Sequence, residues 1–134
     1  MRILCFLLIL ACSTTFASEP SNGREVVVDK ASRTLWLVEN HKVLESFPIS
    51  LGDSPIGHKV QVGDERTPEG TYLLTAKMSS SKFYKSIHIN YPNERDIRRA
   101  KELGVHPGGN IKIHGLPNNS PFDAAIYKGL DWTD

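Results

Sequence analysis

Short runs of alternating apolar and polar residues, each closed by a turn signal, dominate this chain from Glu25 to His114. A period of two puts one face of a strand against a core and the other toward water, which commits such a chain to a strand-rich domain. Glu25 to Asp29 and Thr34 to Glu39 are β-branched or aromatic runs separated by the polar turn Lys30-Ala31-Ser32-Arg33. Asn40-His41 reads as a tight turn into Lys42 to Ser50, where Val43, Phe47 and Ile49 share a face and Glu45 is the exception. Thr71 to Ala76 reads as the next strand. Ser86 to Asn90 places Ile87 and Ile89 on one face and Ser86, His88 and Asn90 on the other. Ile111 to His114 repeats the pattern, with Ile111 and Ile113 inward and Lys112 and His114 outward.

The interruptions are as informative as the strands. Leu51 to Arg66 holds three glycines, two aspartates and a proline, and reads as a long surface loop. Thr67-Pro68-Glu69-Gly70 fits a type I turn, with proline at the second position. Asn93 to Leu103 reads as a short helix with a thin apolar stripe of Ile97, Ala100 and Leu103, an i,i+4 pair of Glu94 and Arg98, and a stop at Gly104. A second helix is expected over Pro121 to Lys128, with Ser120 as its cap, Asp123 completing a capping-box-like pattern and Gly129 ending it. The expected architecture is one mostly β domain with two short helices and no internal repeat.

The first residues read as an address label. Arg2 precedes Ile3 to Ala11, an apolar run too short to span a bilayer, and Thr15-Phe16-Ala17 offers the small residues of a cleavage site. The division expected is a signal peptide over 1–17, a short leader over 18–23 and the domain over 24–134. The alternative takes Ile9-Leu10-Ala11-Cys12 as a lipoprotein box, with the protein lipid-anchored through Cys12. Either route exports the chain, and the periplasm is its expected place. A formal charge of +1 with interspersed signs argues against a nucleic-acid partner, which calls for a basic excess. No second stretch approaches a spanning helix, so no transmembrane span is expected after signal cleavage. The two cysteines, Cys5 and Cys12, both precede the domain, which therefore has no disulfide to brace it.

Chemistry gathers late in the chain. His114 stands at a strand end, a loop and helix follow, and Asp131-Trp132-Thr133-Asp134 closes the segment. A histidine on a strand end, a connecting loop and then a turn is a base-then-nucleophile order, and here the base is present without the thiol. Each candidate has a plainer reading beside it. A histidine at a strand end is more often a solvated surface residue than a base. His88 can line the same groove or merely meet water. Tyr91 can touch a ligand, although a tyrosine before a proline packs more often on a core. His106 reads as a loop residue, Trp132 as a packing anchor, and His41 and His58 as turn residues without signal. A zinc peptidase using His88, His106 and His114 is a competing class, although their spacing lacks the i,i+4 pattern of a metal-holding helix.

Thr67-Pro68-Glu69-Gly70-Thr71-Tyr72, Ile87-His88-Ile89-Asn90-Tyr91-Pro92-Asn93 and Ile111 to Gly115 occur in that order, followed by Asp131-Trp132-Thr133-Asp134. Together they resemble the catalytic domain of bacterial L,D-transpeptidases, the YkuD-type family, from about Val26 to Asp134. The resemblance implies a β-rich, sandwich-like domain with short helices and further structure past Asp134. On that reading the chain is incomplete at its C-terminus, ending just before a glycine and the nucleophilic cysteine. The implied activity is cysteine acyl transfer on peptidoglycan stem tetrapeptides, cleaving after the third residue and releasing D-alanine. The acceptor is an amine on another stem, a lipoprotein or water, and no cofactor is implied. His114 is the implied proton donor and acceptor, with His88, Tyr91, Gly115, Thr133 and Asp134 as candidates to line the groove. Many relatives have histidine where Asp134 stands, so that histidine's role is not carried over. The loop Leu116 to Leu130 is also longer than usual. A wall-binding module that keeps the groove without the thiol is the non-enzymatic alternative.

Overall fold

The computed structural model describes residues 23–119 and Asp131. The signal-like segment, the expected helix over Pro121 to Lys128, and Trp132, Thr133 and Asp134 lie outside the described residues. Strands β1 (Arg24–Asp29), β2 (Thr34–Glu39) and β3 (Lys42–Pro48) form one antiparallel sheet in the order β1-β2-β3. Strands β4 (Leu74–Ser81), β5 (Tyr84–Ile89) and β6 (Lys112–His114) form a second, in the order β4-β5-β6, and helix α1 (Glu94–Leu103) connects β5 to β6. The fold is mostly β, as the alternation requires.

The hairpins follow from their turn residues. Asn40 and His41 link β2 to β3 with φ of 48° and 63°, the paired positive values of a turn whose twist matches the strands it joins. β2 is the inner strand of its sheet, and it buries Leu35 and Val38 while β3, at the edge, is exposed throughout. The shared face of Val43 and Phe47 therefore stays open to solvent among the described residues, because β3 lies at an edge. β4 starts three residues later than the alternation indicates and runs on to Ser81, because its partner β5 starts at Tyr84 and supplies the ladder that far.

Helix α1 has the expected bounds and a different buried face. Asn93 caps it, its side-chain oxygen accepting the N–H groups of Arg95 (3.0 Å) and Asp96 (3.2 Å), and Asp96 returns a bond to the Asn93 N–H at 3.1 Å. Gly104 closes it at φ 67°, the left-handed cap a glycine takes without cost. The buried residues are Asp96 and Ala100, whereas Ile97 and Leu103 of the expected stripe are about half exposed, at 52% and 55%. Asp96 goes inward because it has donors waiting there: the Tyr72 hydroxyl lies 3.0 Å from Oδ2.

The segment from Leu51 to Arg66 carries no strand or helix, yet it is packed rather than splayed over the surface. Leu51 is 2% exposed, the largest fully buried side chain among the described residues. Asp64 closes the segment on itself, accepting the N–H groups of Val60 (2.7 Å), Gln61 (3.0 Å) and Arg66 (3.2 Å) and the Lys59 ammonium at 2.8 Å. Burial works against ionising Asp64, but these donors together outweigh it and hold the carboxyl well below its usual range. Lys30, in the β1–β2 turn, then pins the segment to the first sheet, donating to the carbonyls of Gly57 (2.7 Å) and Thr67 (3.1 Å) and to the Glu69 carboxylate (2.9 Å).

Candidate active site

His114 ends β6, and β6 is positioned entirely by β5. The register pairs Ser86 with His114, Ile87 with Ile113 and His88 with Lys112. Directly opposed residues of an antiparallel pair point to the same face, so Ser86, His88, Lys112 and His114 share one face and the isoleucines take the other. His88 lies diagonal to His114, a cross-strand relation that places Cβ atoms about 7–8 Å apart. His88 and His114 are both half-buried.

The Gly115 carbonyl and the Phe83 ring both hold the imidazole of His114. Its Nδ1 lies 2.8 Å from the Gly115 carbonyl oxygen, which can only accept, so Nδ1 carries the proton and Nε2 the lone pair. The Phe83 ring packs against it, centroid to centroid 4.4 Å at a tilt of 38°. Phe83 sits in the β4–β5 turn, and that turn also grips Gly115, whose N–H lies 3.1 Å from both the Phe83 and Lys85 carbonyls. A Cβ at Gly115 would meet the Phe83 carbonyl oxygen at 3.0 Å, which explains the glycine sterically. Asn118 completes the attachment: its N–H reaches the Lys82 carbonyl at 2.8 Å, its Nδ2 donates to Ser81 O at 2.6 Å, and its Oδ1 accepts the Tyr84 N–H at 3.0 Å.

Ser86 is the residue of this site that sequence reasoning passed over. It is 3% exposed and its hydroxyl has no hydrogen-bond partner among the described residues. It lies directly opposite His114. The signal available was its place in the alternation, two residues before His88.

Tyr91 belongs to the core instead of the groove. It is 5% exposed, its hydroxyl donates to the Pro107 carbonyl at 3.0 Å, and its ring meets Tyr72 edge-on at 5.9 Å. Burial, with the carboxylates of Asp96 and Asp64 nearby, pushes it up to about 12, so it stays a neutral donor. His106 is exposed, its Nδ1 accepting the Gly108 N–H at 3.0 Å. The zinc reading needs His88, His106 and His114 to converge, but no group of three His, Cys, Asp or Glu side chains able to hold a metal occurs among the described residues. Thr133 and Asp134 lie outside the described residues, but Asp131 is anchored: Arg33 of the β1–β2 turn grips its carboxylate, and the Leu51 N–H donates to Oδ1 at 2.9 Å. His58, taken as a silent turn residue, instead bridges two segments. Its Nδ1 accepts the Glu69 N–H at 2.9 Å, which leaves its proton on Nε2, 3.2 Å from the buried Asp96 Oδ1.

Comparison with known proteins agrees with this frame. The family model for YkuD, the L,D-transpeptidase catalytic domain, matches residues 23–134. Two curated relatives, each named "Putative L,D-transpeptidase YafK", come from Escherichia coli K12 and Escherichia coli O157:H7. Each is 31% identical over 112 residues, covering 79% of this chain and 44% of the relative, so the chain spans less than half the length of either. No solved structure matches significantly. No helix among the described residues is long and apolar enough to cross a membrane.

Proposed function

The chain belongs to the L,D-transpeptidase catalytic-domain family, and from that premise we propose that it serves cysteine acyl transfer on peptidoglycan stem tetrapeptides in the periplasm. The observation that carries the proposal is the setting of His114, half-buried at a strand end with Nδ1–H committed to a backbone carbonyl. That commitment leaves Nε2 as the proton acceptor, the arrangement a general base needs. Nε2 takes the thiol proton as sulfur attacks the carbonyl after the third stem residue. The amide C–N bond then breaks, the proton passes to the leaving nitrogen, and D-alanine departs, leaving a thioester. An amine on another stem, a lipoprotein amine or water attacks the thioester in turn, giving its proton to Nε2 and restoring the thiol.

A base of this kind needs a thiol partner, and in the family a glycine and the nucleophilic cysteine follow a segment like Asp131 to Asp134. The Arg33 clamp on Asp131 supports this placement, since it anchors the approach to that position. His88 and Gly115 line the groove on this reading, and Thr133 and Asp134 lead toward the thiol. The domain is exported by cleavage after Ala17; N-terminal sequencing of secreted protein tests this, and a lipidated start at Cys12 would replace it.

The deciding experiment assays the full gene product for D-alanine release from tetrapeptide stems, with and without His114→Gln. Release that survives the substitution removes His114 as the base. The second reading is a wall-binding module without catalysis. Peptidoglycan binding by a gene product that contains no thiol and releases no D-alanine would establish it.

A further inference from the structure

A concavity lies at the start of α1. It has a volume of about 390 Å³ and is lined by His58, Glu69, Gly70, Arg95 and Arg99. Arg95 and Arg99 are one helical turn apart, so both guanidinium groups project over the same depression. Glu69 is already engaged, its carboxylate paired with Lys30 at 2.9 Å and held below its usual range by that ammonium. Arg95 donates from Nη2 to the Glu69 carbonyl at 3.0 Å and lies across Gly70, where φ is 133° and any side chain would run into the guanidinium. Arg99 forms no ion pair among the described residues, in contrast to Arg98, which faces Glu94 at 3.9 Å. Asp96, the other carboxylate nearby, is buried beneath: its Oδ2 accepts from the Tyr72 hydroxyl and the Asn93 N–H, while its Oδ1 lies 3.2 Å from His58 Nε2 without a hydrogen bond among the described residues. The depression therefore presents guanidinium donors whose nearby carboxylates are already committed elsewhere.

We propose that this depression is a subsite for a carboxylate of the peptide substrate, held by Arg99 with Arg95 beside it. Planar guanidinium groups match carboxylates through paired N–H bonds, and the glycine keeps the backbone low enough for a ligand to reach them. The inference rests on the peptide-acting reading above, but its readout is binding and needs no thiol.

The test titrates the isotope-labelled chain with three probes: an acidic tetrapeptide, the same peptide with its carboxylates amidated, and inorganic phosphate. The acidic peptide is expected to move the amide resonances of Gly70, Arg95 and Arg99. Amidation, or Arg99→Gln, is expected to weaken binding about fivefold, the scale of one partly exposed ion pair, while Arg98→Gln leaves it unchanged. Equal affinity for the amidated peptide, indifference to Arg99→Gln, or phosphate binding as well as the peptide would each overturn the proposal. Failure of D-alanine release with binding intact would instead count against the acyl-transfer reading alone.

Discussion

Arg33 grips Asp131 through both carboxylate oxygens, Nη2 to Oδ2 at 2.6 Å and Nε to Oδ1 at 3.0 Å, across 98 residues of chain. The arginine stands in the β1–β2 turn at φ 54°, with its carbonyl tied to the Ile49 N–H at 2.9 Å. One turn of the first sheet thereby anchors both the start of the Leu51 segment and the approach to the expected nucleophile.

This clamp should make stability depend on acid. The Arg33 guanidinium holds the Asp131 carboxyl below its ordinary 3.8, so its contribution is present above that value and is lost as pH falls through the folded-state value. Asp131→Asn should melt at a lower temperature than the parent chain at neutral pH, and the two curves should converge in strong acid. A gap that persists unchanged in acid would show that the charge is not what the clamp uses.

The Lys59–Asp64 pair should be costly to break from one side. Both side chains are nearly buried, at 9% and 11% exposure, and the ammonium sits 2.8 Å from its partner. Asp64→Asn leaves a buried cation without its counter-charge and should cost about 3 kcal/mol in denaturant unfolding, the low end for such a break. Adding Lys59→Met should recover part of that loss. A double variant no more stable than the single one would mean that the backbone bonds to Asp64, and not the ion pair, dominate.

The seat of the His114 ring gives a graded series. In the full gene product, His114→Gln should lower D-alanine release by about 10²–10⁴, the range for removing a positioned base. Gly115→Ala should lower it less, by displacing the carbonyl that orients the ring, and should shift the His114 ring resonances even in the chain ending at Asp134. His106→Gln should have little effect on release. Unchanged His114 resonances in Gly115→Ala would show that the Phe83 carbonyl yields to the added methyl group.

Ser86→Ala tests the buried hydroxyl opposite the base. Removing a polar atom that lacks a partner should leave stability within about 0.5 kcal/mol or raise it, whereas losing a satisfied hydrogen bond costs about 1 kcal/mol. Calorimetric melting decides between them. A clear loss would mean that the hydroxyl has a partner beyond the described residues.

Local spacing accounts for what the sequence by itself determined. The strand runs other than β4, the Asn40-His41 hairpin, the bounds of α1, its Asn93 start and its Gly104 stop all depend on neighbours within four residues, and all could be read from the chain. So could the placing of His114 and Ile113 on opposite faces, since alternation alone separates them. What the tertiary structure alone decided is which of those local features meet. Asp96 reads as a helix-start acid and is buried because Tyr72 arrives from another segment to partner it. Lys30 and Arg33 read as polar turn residues and become the ties that hold the Gly57 to Glu69 stretch and Asp131. Ser86 faces His114 only because β6 pairs with β5 in that register. Periodicity specifies which way a side chain points, but the partner it finds depends on contacts between residues far apart in the chain, and no local pattern encodes those.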